Sequence, residues 1–342
     1  MKKLLAMMLC LLLVCVSAMA DGDGGIATPA TYEELLAAMQ NSRYREISLR
    51  VKDFVWPTEE ITLDFVDLSA SISIVGEFTF PENVTVNCAQ MIGIAGGEGI
   101  VTVNGPWNCL SDTGMIYPKD GNVIYNGPVT FTCDKRVRLS NSNANFIFNG
   151  PMQLNAIVSA NGLTLGDGVV IEGERYLSFS ETIAVPEGMA TINVDLHPSP
   201  SNDRDQPTIA GDMTVKELTV SERSFCIITS DSNVTVEKLT VRKGGQLIID
   251  GTVELPIDSR HTGTAGTVQL NETGTLIMNY STRLGNEAGG KITGTGTLDL
   301  RANVARYDEV VRPPKVFGAD SFEGLPADFV DETVKIVKNW KE

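Results

Sequence analysis

Glycine returns to the same place in this chain. Gly105, Gly127, Gly150 and Gly173 stand 22, 23 and 23 residues apart, and the first three sit in the same triplet, Asn104-Gly-Pro, Asn126-Gly-Pro and Asn149-Gly-Pro. Two residues before the glycines stand Val103, Tyr125, Phe148 and Ile171, and four before stand Val101, Val123, Phe146 and Val169. Four residues after them come Cys109, Phe131, Leu154 and Leu177. Alternate apolar positions share one face of a strand, so each repeat reads as strand, corner, strand.

The habit continues in different residues. The stretches GTVEL at Gly251, GTLIM at Gly274 and GTLDL at Gly296 recur at intervals of 23 and 22. Between the two sets lie TVKELTV from Thr214 and TVEKLTV from Thr235, 21 residues apart. Stacking them sets Lys216 beside Glu237 and Glu217 beside Lys238, each pair supporting the register by ~0.2–1 kcal/mol. A β-sandwich also spaces its strands closely, but it has no need to return corner residues to one column. The pattern predicts an all-β parallel solenoid of about 22 residues per coil over residues 46–310. Eleven or twelve coils at the usual strand spacing would make a rod of about 55 Å.

Bare end coils would expose core and unpaired backbone groups, so both ends call for covers. Thr31 with Glu34 three residues on forms a capping-box pattern, followed by Leu35, Leu36 and Met39 at helical spacing. This predicts an N-terminal capping helix within 31–45. Phe329, Val330, Val334, Ile336 and Val337 fall on a helical stripe and predict a C-terminal helical cap within 311–342.

A short amphipathic helix followed by strand-corner-strand coils resembles the right-handed parallel β-helix proteins of the pectate-lyase-like superfamily. The resemblance covers about residues 31–310 and rests on pattern, with no catalytic motif behind it. It implies a right-handed coil and internal asparagine ladders at the corners, a role that fits Asn104, Asn126 and Asn149, while Glu172 departs from it.

The first twenty residues, MKKLLAMMLCLLLVCVSAMA, have the charge, apolar run and small-residue end of a cleavable secretory signal, followed by a flexible leader over 21–30. No later stretch has the length of a transmembrane helix. The formal net charge is −16, and loss of Lys2 and Lys3 would deepen it by two. Such a surface repels nucleic acid and attracts cations. Cys88, Cys109, Cys133 and Cys226 would remain after cleavage, without a Cys-x-x-Cys pair, and read as small buried side chains.

Chemistry is sparse in the pattern. No column repeats an Asp or Glu beside a basic column, and His197 and His261 are the two histidines. One interruption, DLHPSPSNDRDQP from Asp195 to Pro207, predicts a projecting loop. Asp195, Asp203 and Asp205 offer oxygen ligands suited to Ca²⁺, with His197, Asn202 and Arg204 as further ligand groups; the plain alternative is a solvated turn, and no cofactor is required. His261 reads as a turn residue. Thr102, Ile124, Ile147 and Val170 face outward in this register and form an external stripe. Aromatics are 6% of the chain, and Trp56, Trp107 and Trp340 make no evident sugar-stacking platform, Trp107 reading as core.

With no convergent acid/base pair, the expected function is a secreted, non-catalytic bacterial protein of the cell surface or extracellular matrix. Its partner would be an extracellular glycan or a surface protein along an extended face. A polysaccharide lyase or glycoside hydrolase, and a structural spacer, are the alternatives.

Overall fold

Three strand segments per turn, each hydrogen-bonded in parallel to its counterpart one turn away, make the chain a parallel β-solenoid of about 11 turns. The computed structural model describes residues 25–139, 144–257, 260–279, 283–286, 290–301, 315–316 and 329–339. The expected signal segment and Trp340 lie outside the described residues. The first sheet begins with Ile26–Ala27, Glu46–Leu49 and Ser71–Val75 and ends at Lys315–Val316. The second runs from Phe78–Phe80 to Lys291–Gly294, and the third from Ile61–Phe65 to Lys335–Asn339. The chain visits them in that order and repeats. Part of the expected flexible leader is structured: Ile26–Ala27 pairs with Glu46–Ile47.

Alternation builds the core. Val101, Val103, Val123, Tyr125, Phe146 and Phe148 are all buried, as the glycine columns predicted. Phe80, Trp107, Tyr125 and Phe148 form a continuous interior aromatic contact, with centroids 5.9, 5.9 and 5.1 Å apart and the last two rings stacked. The Trp107 indole N–H donates to the Gly114 carbonyl at 3.0 Å, which satisfies its one polar atom in the core. Cys88, Cys109 and Cys226 are buried free thiols and Cys133 is half-buried. Burial pushes the Cys88 thiol up to about 12, so it behaves as an apolar filler and not as a nucleophile.

The Asn-Gly-Pro corner serves the close approach of coils. A Cβ added at Gly127 would overlap the carbonyl oxygen of Gly105, and one at Gly150 would overlap that of Gly127. Asn126 donates through its amide to Asn104 Oδ1 and Asn149 to Asn126 Oδ1, both at 2.7 Å. The ladder exists, but Asn126 and Asn149 are exposed, so it runs along the outside of the corner and not inside it. The apolar interior has no room for a row of amides whose remaining polar atoms would go unpaired.

Several expectations need correction. Phe148 sits beside Leu165, 17 positions on, where Tyr125 precedes Phe148 by 23. The short coil removes Gly173 from the column: Ile171 lies beside Met152, Gly173 beside Leu154, and Leu177 beside Val158. Val170 therefore leaves the external stripe, whose register runs Thr102, Ile124, Ile147, Thr164. Of the two stacked charge pairs, Glu217 and Lys238 form an ion pair at 2.8 Å, and none forms between Lys216 and Glu237. His261 lies in the strand Arg260–Thr264, not in a turn.

At the N-terminal end a helix spans Tyr32–Met39, with Leu35 and Ala38 buried. Thr31 Oγ1 accepts from the Glu34 N–H at 3.2 Å, and Glu34 accepts from the Ala30 N–H at 2.8 Å, so two helix-start donors are satisfied. At the other end the expected helix is overturned. Lys335–Asn339 is a strand paired with Thr297–Arg301, while Phe329 and Val334 are buried. The open edge of the third sheet offers a row of unpaired backbone groups, and β-branched Ile336 and Val337 suit it better than a helix.

Candidate functional site

The expected loop divides. Asp195 and His197 do not project: they lie on the strand segment that ends at Pro198, with His197 beside Ser178 and Asp195 beside Glu217. The apolar alternation Ile192, Val194, Leu196 carries the strand through what reads as a polar interruption. The His197 ring packs on Tyr176 at 4.7 Å, and Arg136 donates to the Tyr176 hydroxyl at 3.1 Å. Burial pushes the His197 imidazolium below its usual range, against the opposing pull of Asp195 and Glu217.

The remaining candidates sit on the corner 199–207. Asp205 holds this corner shut. One carboxylate oxygen accepts from the Ser201 N–H at 2.7 Å, the Ser201 hydroxyl at 2.6 Å and the Asn202 N–H at 3.3 Å; the other accepts from the Asn202 amide at 2.7 Å. Asn202 Oδ1 in turn accepts from the Arg204 N–H at 2.8 Å. Asp203 and the Arg204 side chain are exposed. Among the described residues no group of three or more His, Cys, Asp or Glu side chains is placed to hold a metal ion, Asp195, Asp203 and Asp205 included.

The Ser201 hydroxyl, then the Ser201 N–H and the Asn202 donors, hold the Asp205 carboxyl below the usual aspartate range. A depressed folded-state value contributes stability that is complete above the unfolded value of ~3.9 and is lost as pH falls through the folded value. An NMR titration of the Asp205 carboxyl carbon should therefore show a midpoint below that of a free aspartate. A midpoint at the ordinary value would show that the corner does not hold the carboxylate.

A different surface, on the outer face of the third sheet, collects polar groups in register. Asp64, Asn87, Asn108, Thr130, Gln153 and Glu172 occupy equivalent positions on six successive strands. On the lower coils the amides are spent on one another: Asn87 donates to Asp64 at 2.6 Å and Asn108 to Asn87 at 2.8 Å. Farther along the row slackens, with Gln153 donating to Asn155 at 3.3 Å and Asn193 to Glu172 at 3.5 Å. There, beside the short coil, lies a shallow depression of about 330 Å³. Pro128, Pro151 and Val170 give it apolar walls, and Thr130, Gln153 and Glu172 supply hydroxyl, amide and carboxylate. Sequence reasoning missed it because the short coil, which the glycine spacing conceals, is what sets Glu172 beside Gln153.

Comparison with protein-family models, with curated proteins and with solved structures finds no match in any of the three. The class of the protein, an all-β parallel solenoid, accordingly rests on its own strand pairing.

Proposed function

We propose that this chain is a secreted, non-catalytic bacterial β-helix, right-handed and of the pectate-lyase-like kind, that binds an extracellular glycan or a surface protein along its third sheet. The supporting observation is the change in the polar row: short amide contacts between Asp64 and Asn108 give way to long ones at Gln153 and Glu172, where the wall turns concave. Apolar proline rings flanked by an amide, a hydroxyl and a carboxylate suit the CH face and hydroxyls of a sugar, or the side chains of a peptide. Asp205, whose acceptors are taken up within its own corner, suits a structural role.

A glycan array and a pull-down on purified protein test this reading. Gln153→Ala and Glu172→Ala should each weaken binding of the captured ligand about tenfold, the worth of one good hydrogen bond. Retention of full affinity by both variants would move the site elsewhere. New reducing or unsaturated ends released from polysaccharide would make the protein a glycosidase or lyase, and absence of any ligand would make it a spacer.

A further inference from the structure

The proline of the corner triplet has a column of its own on the outer face of the third sheet. Pro106, Pro128 and Pro151 each stand one residue before the paired core positions Trp107, Val129 and Met152, and Val170 stands one before Ile171. Their backbone carries the pairing: the Pro106 carbonyl accepts from the Val86 N–H at 2.8 Å, that of Pro128 from the Trp107 N–H and that of Pro151 from the Val129 N–H, both at 2.9 Å. One residue after the same core positions come Asn108, Thr130, Gln153 and Glu172, also in register. Each coil thus turns one apolar and one polar group outward, and four such rungs follow one another at the strand spacing of ~4.8 Å. The last three line the depression: Pro128 with Thr130, Pro151 with Gln153, and Val170 with Glu172. Pro128 and Pro151 are exposed and Val170 is half-buried. The asparagine ladder and the close glycine approach beside them hold the proline rings at that step.

The step selects what can lie there. Every strand of this stretch is bonded to the strand before and the strand after it, so no peptide can add to an edge. A β-strand laid lengthwise on the face would set its like-facing side chains ~6.6 Å apart, out of step by the second rung. A polyproline helix, at ~9.3 Å per turn, would meet alternate rungs alone. A flat β-1,4-linked pyranose chain advances about 5 Å per sugar, close to the ~4.8 Å strand spacing, and so sets one sugar on every rung. Its C–H faces would cover the prolines and Val170, and its hydroxyls would meet the amide, hydroxyl and carboxylate beside them. Among the described residues that line the depression Glu172 alone is charged, in a chain of net charge −16, so an acidic polysaccharide is repelled.

We propose that the third sheet takes a neutral, unbranched β-1,4-linked polysaccharide, laid along the rod with one sugar on each of the four rungs from Pro106 to Glu172. This rests on the third-sheet binding surface proposed above and names its ligand.

Isothermal titration calorimetry with cello-oligosaccharides and N-acetylated chito-oligosaccharides of two to six units tests it. In at least one series affinity should rise about tenfold or more from two units to four and then level off, because four rungs are available. Maltohexaose, whose α-1,4 links curl the chain, and hexagalacturonate, which is acidic, should bind at least tenfold more weakly. Pro128→Ala with Pro151→Ala should weaken the four-unit ligand about tenfold, in protein whose circular dichroism keeps the strand signal of the parent. Absence of binding in both β-1,4 series, equal binding of maltohexaose or hexagalacturonate, or affinity already level at two units overturns the proposal; a ligand of another kind that is lost on Gln153→Ala would then leave the third-sheet surface standing. A β-1,4 oligosaccharide that binds equally well to Gln153→Ala, Glu172→Ala and the proline pair overturns the surface itself, and the proposal with it.

Discussion

Replacing Phe148 by alanine should remove ~3–5 kcal/mol of stability, the usual cost of deleting a fully buried aromatic ring. Phe148 is wholly buried, and its ring lies 5.1 Å from that of Tyr125 at an interplanar angle of 10°. The void would open between two coils, and each coil of a solenoid contacts its neighbours alone. Hydrogen exchange should therefore show lost protection centred on 123–125, 146–148 and 163–165, with the distant strands Thr252–Leu255 and Thr275–Met278 unchanged. An unchanged exchange pattern would place Phe148 outside the stacked core.

Gly127→Ala should be at least as severe, costing more than ~4 kcal/mol, in the range reserved for specific steric faults. The cause lies in the approach of Gly105 below, whose carbonyl oxygen occupies the space a methyl group would need. The nearest atoms are all backbone of Asn104 and Gly105, so the fault cannot be relieved by rotating a side chain; the coils must part. Gly93→Ala is the matched control, because nothing lies within 4 Å of the added carbon, and it should fall within about 0.5 kcal/mol of the parent. Thermal unfolding of the two variants side by side decides the matter, and equal midpoints would refute the close-approach account.

These two substitutions mark what could be read from the chain beforehand. Glycine spacing and alternation located the columns of Val103, Tyr125 and Phe148, and the similar stretches at Thr214 and Thr235 located the Glu217–Lys238 pair. The reading failed where two glycines competed. Gly166 takes the next corner, its N–H donating to the Phe148 carbonyl at 2.8 Å much as that of Gly150 donates to Tyr125 at 3.2 Å. Gly173 merely preserves the spacing. The depression beside Gln153 and Glu172 was hidden for the same reason. Asp195 and His197 were misplaced because strand continuity is carried by buried Val194 and Leu196, while their polar neighbours suggest a loop. The C-terminal strand depends on an open sheet edge, which a one-dimensional pattern does not display.

The parallel pairing of every coil with the next has a mechanical side. The hydrogen bonds that join coils point along the rod, so a load applied between its two ends meets them as a zipper, coil after coil, and not as a sheared array. Each coil surrendered would release about 22 residues, roughly 75 Å of extended chain. Tension would thus be absorbed as stepwise lengthening from the ends, while the remaining coils keep their shape.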